Sequence, residues 1–360
     1  MGDILHALPA VTALRRMHPM WRIDWVVEPR WRSLLVSEDS AAWVANDEVS
    51  SQRKPGRPVV DAVIEADTRG WRRDGASLAT ARAIRQLRTT LRTGEYDAVL
   101  EMQGAIRTAV IARFPGCRRV IGDAHPRERQ ARWLYTEPVA AQGAHVIDRG
   151  LELAEAVAAD PLEMHMPDLP VDSAAEAWCE QLLDDWKRLD GSIGDAPFVL
   201  IHPGAGWGAK RWPTERFHAV AEWLGAQGVS ALVNAGPGEE PLAEAVVRDL
   251  PAARAVRSSL AQLTALTRRA GLVIGGDTGP LHLACALGRP VVGIYGPTDP
   301  TRNGPYRFPG GAECAVLRSA ESRRDHRRLP EPEAGLLKID SQAVCREAAR
   351  LLELGYNQQG

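Results

Sequence analysis

Gly275-Gly276-Asp277-Thr278-Gly279-Pro280-Leu281-His282 lies between the apolar run Leu272-Val273-Ile274 and a stretch of helical spacing over 281–287. A short apolar run reads as a buried parallel strand. The eight residues are therefore expected where a strand ends and a helix begins. Such a junction presents unpaired backbone N–H groups and the positive end of a helix dipole, a setting for phosphate. Gly279 admits close backbone approach, and Thr278 adds a hydroxyl donor. Asp277 is badly placed to meet a phosphate directly and is read as an organiser of the loop or a partner for a sugar hydroxyl. A second apolar run follows at once, from Pro290 to Asp299.

The same alternation extends in both directions. Strands are expected at 23–27, 62–65, 98–101 and 119–121, then at 198–201, 231–233, 253–256, 272–274 and 291–294, with helical stretches between them. That pattern predicts an α/β fold with parallel sheets. Residues 160–195, rich in Asp, Pro and Gly around one amphipathic helix at 174–189, form the expected boundary. The expectation is two doubly wound domains, 1–165 and 166–340, with ligands in the cleft between them. A last helix over 341–354 is placed to cross back onto the first domain. The chain enters a helix directly, ending near His18-Pro19, where a doubly wound domain normally opens with a strand. The expectation drawn is a missing first strand, from a reading frame begun too late, or an unpaired sheet position.

At 360 residues the chain is too long for one ordinary core. With 45% apolar and 25% charged residues it is globular. No run reaches the ~20 apolar residues of a membrane span, and no signal-peptide pattern opens the chain. The five cysteines (Cys117, Cys179, Cys285, Cys314, Cys345) are scattered without a C-x-x-C pair, which argues against structural zinc or a disulfide framework and fits a reducing cytosol. Net charge is −2 but uneven: residues 1–158 carry 23 Lys/Arg against 20 Asp/Glu, and all but one of those cations are arginine. Arginine suits bidentate grip on phosphate and carboxylate.

Several segments carry two readings each. The glycine-rich loop 201–213 ends in Lys210 before a helix opened by Pro213-Thr214-Glu215; it is a phosphate cradle or a flexible turn with a solvated lysine. Glu239 closes the next strand, to meet a ribose hydroxyl or to offset a helix dipole. Asp3 is an N-cap or a general base. Arg69, Arg72 and Arg73 crowd Trp71 in an expected loop that could hold an acidic acceptor, as could Arg127. Arg82, Arg85, Arg88 and Arg92 form a helical stripe, either solvated or lying on an anionic membrane. Metal-ligand spacing and a G-x-S-x-G elbow are both missing from the sequence.

Taken together, the stretches 1–10, 24–28 and 96–104, the Lys210-Arg211-Trp212-Pro213 loop and the run 277–299 resemble glycosyltransferase family 9, the heptosyltransferases of lipopolysaccharide core assembly. The branch that adds the first heptose is the nearest. The resemblance implies a GT-B fold of two Rossmann-like domains, and metal-independent, inverting transfer of heptose from ADP-heptose to a lipid-linked Kdo acceptor. It implies no cofactor, no nucleic-acid partner, and work at the cytoplasmic face of the inner membrane. By motif, Asp3 matches the base that deprotonates the acceptor, and Lys210 the lysine that binds the diphosphate. Thr278 and Gly279 match the diphosphate cradle, Asp277 and His282 complete the donor site, and Glu239 matches a ribose-binding carboxylate. Arg69, Arg72, Arg73, Arg127 and Gln103 fall where the acceptor binds. The rivals are a family 9 transferase for another glycan, an epimerase or hydrolase on the same fold, and a catalytically impaired nucleotide-sugar-binding protein.

Overall fold

A computed structural model describes residues 1–38, 53–190, 197–325 and 327–354. Contacts divide the chain into His6–Pro170 and a second unit of Met1–Leu5 with Val171–Gly360. The division falls between Pro170 and Val171. The first five residues group with the later half.

The elements open with helix α1 (Gly2–Met17), strands β1 (Asp24–Val27) and β2 (Ala62–Glu65), and helices α2 (Thr68–Asp74) and α3 (Leu78–Thr93). Then come β3 (Ala98–Glu101), α4 (Ile106–Ala112), β4 (Arg119–Asp123), β5 (Glu137–Val139) and α5 (Val146–Ala158). All strand pairs are parallel, but they form two sheets, β1-β2 and β3-β4-β5. The first three residues of β1 and of β3 are only half-buried. The apolar packing is correspondingly divided into small clusters. Ala10, Ala13 and Leu14 of α1 meet Ala154 of α5 and Leu162, flanked by Ile23 and Leu100. Leu87 and Leu91 of α3 pack with Ile111 of α4 under Val26 and Ile64. Polar ties bridge the pieces. Tyr96 donates its hydroxyl to Asp24 Oδ2 at 2.6 Å. Asp61 accepts from Arg15 and Arg53, each at 2.5 Å, and from the Ile23 N–H at 2.7 Å.

The second unit begins with α6 (Ser173–Asp190), β6 (Val199–His202), α7 (Thr214–Ala226), β7 (Ala231–Ala235), α8 (Glu240–Val247), β8 (Ala253–Arg257) and α9 (Leu260–Arg269). It continues with β9 (Leu272–Gly276), α10 (Gly279–Ala286), β10 (Val291–Tyr295), α11 (Pro300–Asn303), β11 (Cys314–Arg318) and α12 (Ser341–Leu351). Its parallel sheet runs β11-β10-β9-β6-β7-β8, the 3-2-1-4-5-6 order of a Rossmann fold read from β8. Every residue of β6, β7, β9 and β10 is buried, as expected of a sheet covered on both faces. The last helix packs within this unit. Its Val344, Cys345 and Ala348 join Phe217, Val220 and Leu224 of α7 in the core of this unit. The Trp212 indole N–H donates to the Ile339 carbonyl just before α12 at 2.9 Å.

Burial alone would raise the Asp61 pKa, but hydrogen bonds from Arg53 and the Ile23 N–H, with Arg15 nearby, hold it below the usual carboxylate range. A depressed carboxylate contributes stability above its unfolded pKa and loses it as pH falls through the folded value. Asp61→Asn is therefore expected to cost roughly 3 kcal/mol at pH 7, by leaving Arg15 buried without its partner. The difference from wild type should shrink below about pH 4, when both proteins are followed by urea denaturation across pH.

Candidate functional site

In a 3-2-1-4-5-6 sheet, ligands bind outside the carboxyl ends of the two strands where the order reverses. Here those strands are β6 and β9, paired from Val199↔Leu272 to His202↔Gly275. The loop after β6 delivers Lys210 and the loop after β9 delivers Asp277. Their side chains form an ion pair with 10% and 8% of their surface exposed. Thr298, from the loop after β10, donates its hydroxyl to Asp277 Oδ2 at 2.7 Å. His282 Nε2, on α10, lies 3.5 Å from Asp277 Oδ1. Burial pushes the Asp277 pKa up, but the hydrogen bond from His282 and the charge of Lys210 outweigh it and hold the carboxyl well below its usual range. Lys210 Nζ also stands 4.1 Å above the Trp207 ring, a cation–π contact that strengthens away from water. Beside this group, burial pushes the His202 imidazole at the end of β6 down to about 3, so it stays neutral.

Thr278 occupies the N-cap position of α10 without a side-chain cap, its hydroxyl turned to the Gly276 carbonyl at 3.3 Å. No cap hydrogen bond from the Thr278 side chain covers the opening turn of α10, which has Gly279 as its first residue. In the same unit, the Met1 side chain lies against Gly279. That brings the segment carrying Asp3 beside the start of α10. Asp3 is exposed inside the first turn of α1 rather than at its cap. Glu239 immediately precedes α8, where its Oε2 accepts the Gly236 N–H at 3.2 Å. Its carboxylate covers Gly204 so closely that a side chain there would collide with it, which joins the loops after β6 and β7.

The expected acceptor residues belong to the other unit, at the carboxyl ends of its strands. Arg69, Arg72 and Arg73 are exposed on α2, where a loop was expected. The helix forms because Asp67 caps it, accepting the Gly70 N–H at 2.8 Å. Arg73 pairs with Asp74 at 2.9 Å. Gln103 follows β3 and is half-buried, its N–H donating to Glu101 at 2.9 Å. Arg127 is exposed in the loop after β4, as expected. Gly104 has φ +66°, and a side chain there would fall 2.8 Å from the Arg127 nitrogen, so glycine sets the approach of these two loops. Arg30 was not singled out from sequence. Burial first, and then the charge of Arg69, lower its pKa, which makes it part of the same basic group. Thr298 and Trp207 also had no assigned role; their partners are set by strand order, which sequence spacing does not reveal.

The fold matches that of the Escherichia coli heptosyltransferase WaaC solved with ADP-2-deoxy-2-fluoro heptose, with a TM-score of 0.72 and 24% identity, covering 97% of this chain and 96% of that one. This is the GT-B architecture, two Rossmann-like units in one chain. The chain belongs to glycosyltransferase family 9 (heptosyltransferase), whose profile matches residues 84–328. Lipopolysaccharide heptosyltransferase 1 of Pseudomonas aeruginosa is 28% identical, over 85% of this chain and 79% of the relative. The Escherichia coli K12 protein of that name is 27% identical over 98% and 97%. The protein is accordingly a glycosyltransferase. No helix among the described residues is long and apolar enough to cross a membrane.

Removing one charge of a buried pair strands the other. Asp277→Asn should lower unfolding stability by roughly 3 kcal/mol. A Lys210→Met/Asp277→Leu double variant should recover part of that loss. Strictly additive losses in a double-mutant cycle of the two positions would show that the charges are independent.

Proposed function

We propose that the protein transfers heptose from ADP-heptose, with inversion and without a metal, to the Kdo-lipid A inner core of lipopolysaccharide at the cytoplasmic face of the inner membrane. The observation that carries this reading is the buried Lys210–Asp277 pair beside the uncapped start of α10, at the switch point of a Rossmann sheet. Full-length similarity to lipopolysaccharide heptosyltransferase 1 supports the choice of sugar and glycan.

In such a transfer the anomeric carbon becomes oxocarbenium-like while negative charge grows on the departing diphosphate. Lys210 and the N–H groups of Thr278 and Gly279 meet that charge. Asp277 and Thr298 fix the ammonium in place, so little reorganisation is needed as the bond breaks. Glu239 accepts from the ribose hydroxyls, and His282 holds Asp277. Asp3 takes the proton from the acceptor hydroxyl. It is exposed on the first turn of α1, where an acceptor hydroxyl can reach it. Arg69, Arg72, Arg73 and Arg127, with Gln103, bind the carboxylates and phosphates of the acceptor, for which arginine geometry is suited. The exposed Arg82, Arg85, Arg88 and Arg92 of α3 face the anionic lipid surface.

The test is ADP release from ADP-heptose with Kdo-lipid A, with and without a first heptose on the acceptor. Turnover is expected only on the acceptor lacking heptose, and it should survive EDTA. Preference for the heptosylated acceptor would move the protein to a later step of the same core. Loss of activity in EDTA would overturn the metal-free chemistry. Asp3→Asn should abolish turnover with donor binding retained, and wild-type turnover in that variant would remove Asp3 from the mechanism. Lys210→Ala should lower kcat roughly a hundredfold. Arg69→Ala and Arg127→Ala should raise the KM for acceptor while leaving that for donor unchanged.

A further inference from the structure

Two of the five cysteines, 29 residues apart in sequence, meet in the second unit: Cys285 Sγ and Cys314 Sγ are 3.9 Å apart. Cys285 is buried in the last turn of α10, and Cys314 is the half-buried first residue of the edge strand β11. The backbone around them is locked together. The Ala312 N–H donates to the Gly288 carbonyl at 3.3 Å, and the Val291 N–H to the Glu313 carbonyl at 3.2 Å. The Gly288 N–H returns to the Cys285 carbonyl at 3.0 Å. A disulfide needs an S–S distance of about 2.05 Å. The two sulfurs must therefore draw together from 3.9 Å for the bond to form.

We propose that Cys285 and Cys314 form a reversible dithiol–disulfide site, which takes a low-molecular-weight disulfide as its oxidant and joins the far end of α10 to β11. Cys314 is the more accessible sulfur and attacks first. A hydrogen bond from Cys285, and then the charge of Arg307, draw its pKa below the usual thiol range. Its thiolate attacks one sulfur of the oxidant and releases one small thiolate. Cys285 then loses its proton to that thiolate and attacks the Cys314 sulfur, which releases the second. The protein dithiol is oxidised by two electrons, and one small disulfide is reduced to two thiols. Of the other three cysteines, Cys117 is half-buried and burial raises its pKa. Cys179 and Cys345 are buried, and burial raises the Cys179 pKa to about 11 and that of Cys345 to about 12.

The test equilibrates the purified full-length protein in reduced and oxidised glutathione, quenches it in acid, denatures it, alkylates the free thiols and maps the peptides by mass. Oxidised protein should lose about 2 Da, carry a single Cys285–Cys314 cross-link and return to starting mass in dithiothreitol. Closing the intervening loop should also raise Tm by roughly 5–10 °C. Cys314→Ser should fold normally and lose both changes. Full alkylation of both cysteines after oxidation would overturn the proposal. So would a glutathione adduct that persists on Cys314 without a cross-link, or a Tm rise that survives in Cys314→Ser.

Discussion

The buried ion pair between Lys210 and Asp277 is the constraint around which the second unit is arranged. Two opposite charges removed from water are tolerable only with close contact and further hydrogen bonds. Thr298 after β10 and His282 on α10 supply polar contacts, the Trp207 ring lies under the ammonium, and the paired ends of β6 and β9 hold the two loops together. Lys210 and Asp277 are far apart in sequence. They meet because the strand order makes β6 and β9 neighbours. The same reversal of strand order opens the carboxyl edge of the sheet to a ligand. One topological feature thus brings the Lys210 ammonium and its carboxylate to the edge where sheets of this order hold ligands.

The first unit is built differently. Its strands form two sheets with small separate cores, and it relies more on polar ties. Asp61 gathers Arg15, Arg53 and the Ile23 N–H, and Tyr96 reaches Asp24. Glu101 accepts from the Tyr135 hydroxyl and from the N–H groups of Gln103 and Gly104. These ties leave arginine side chains exposed where its strands end, on α2 and in the loop after β4. The two units therefore present different chemistry, one a buried cation held by a carboxylate and the other an exposed basic rim.

Much of this was legible in the sequence, for identifiable reasons. The four central strands of the second unit's sheet, β6, β7, β9 and β10, are apolar runs because both faces are covered, and that pattern needs no partner to be recognised. The junction at 275–282 was readable because a glycine-rich turn between a strand and a helix has few alternatives. The misses follow the same physics. β11 is an edge strand with an exposed Val316, and β5 is three residues long with Pro138 at its centre, so neither carries the buried pattern. α2 lies where the sequence predicts a loop: Gly70 and the following Gly75 weaken the helical signal, while the Asp67 cap depends on the backbone it creates. Sequence reads Asp277 as an organiser of the loop or a partner for a sugar hydroxyl and does not name Lys210 as its partner, since that contact exists only once β6 lies against β9.

Calorimetric titration of ADP and of AMP, into wild-type protein and into Lys210→Met, tests most directly whether this cation grips a nucleotide diphosphate. Wild type should bind ADP at least tenfold more tightly than AMP, because only ADP places a second phosphate at Lys210 and the start of α10. That preference should vanish in Lys210→Met. Equal affinity of wild type for both nucleotides, or an undiminished preference in the variant, would contradict the placement of the diphosphate at this pair.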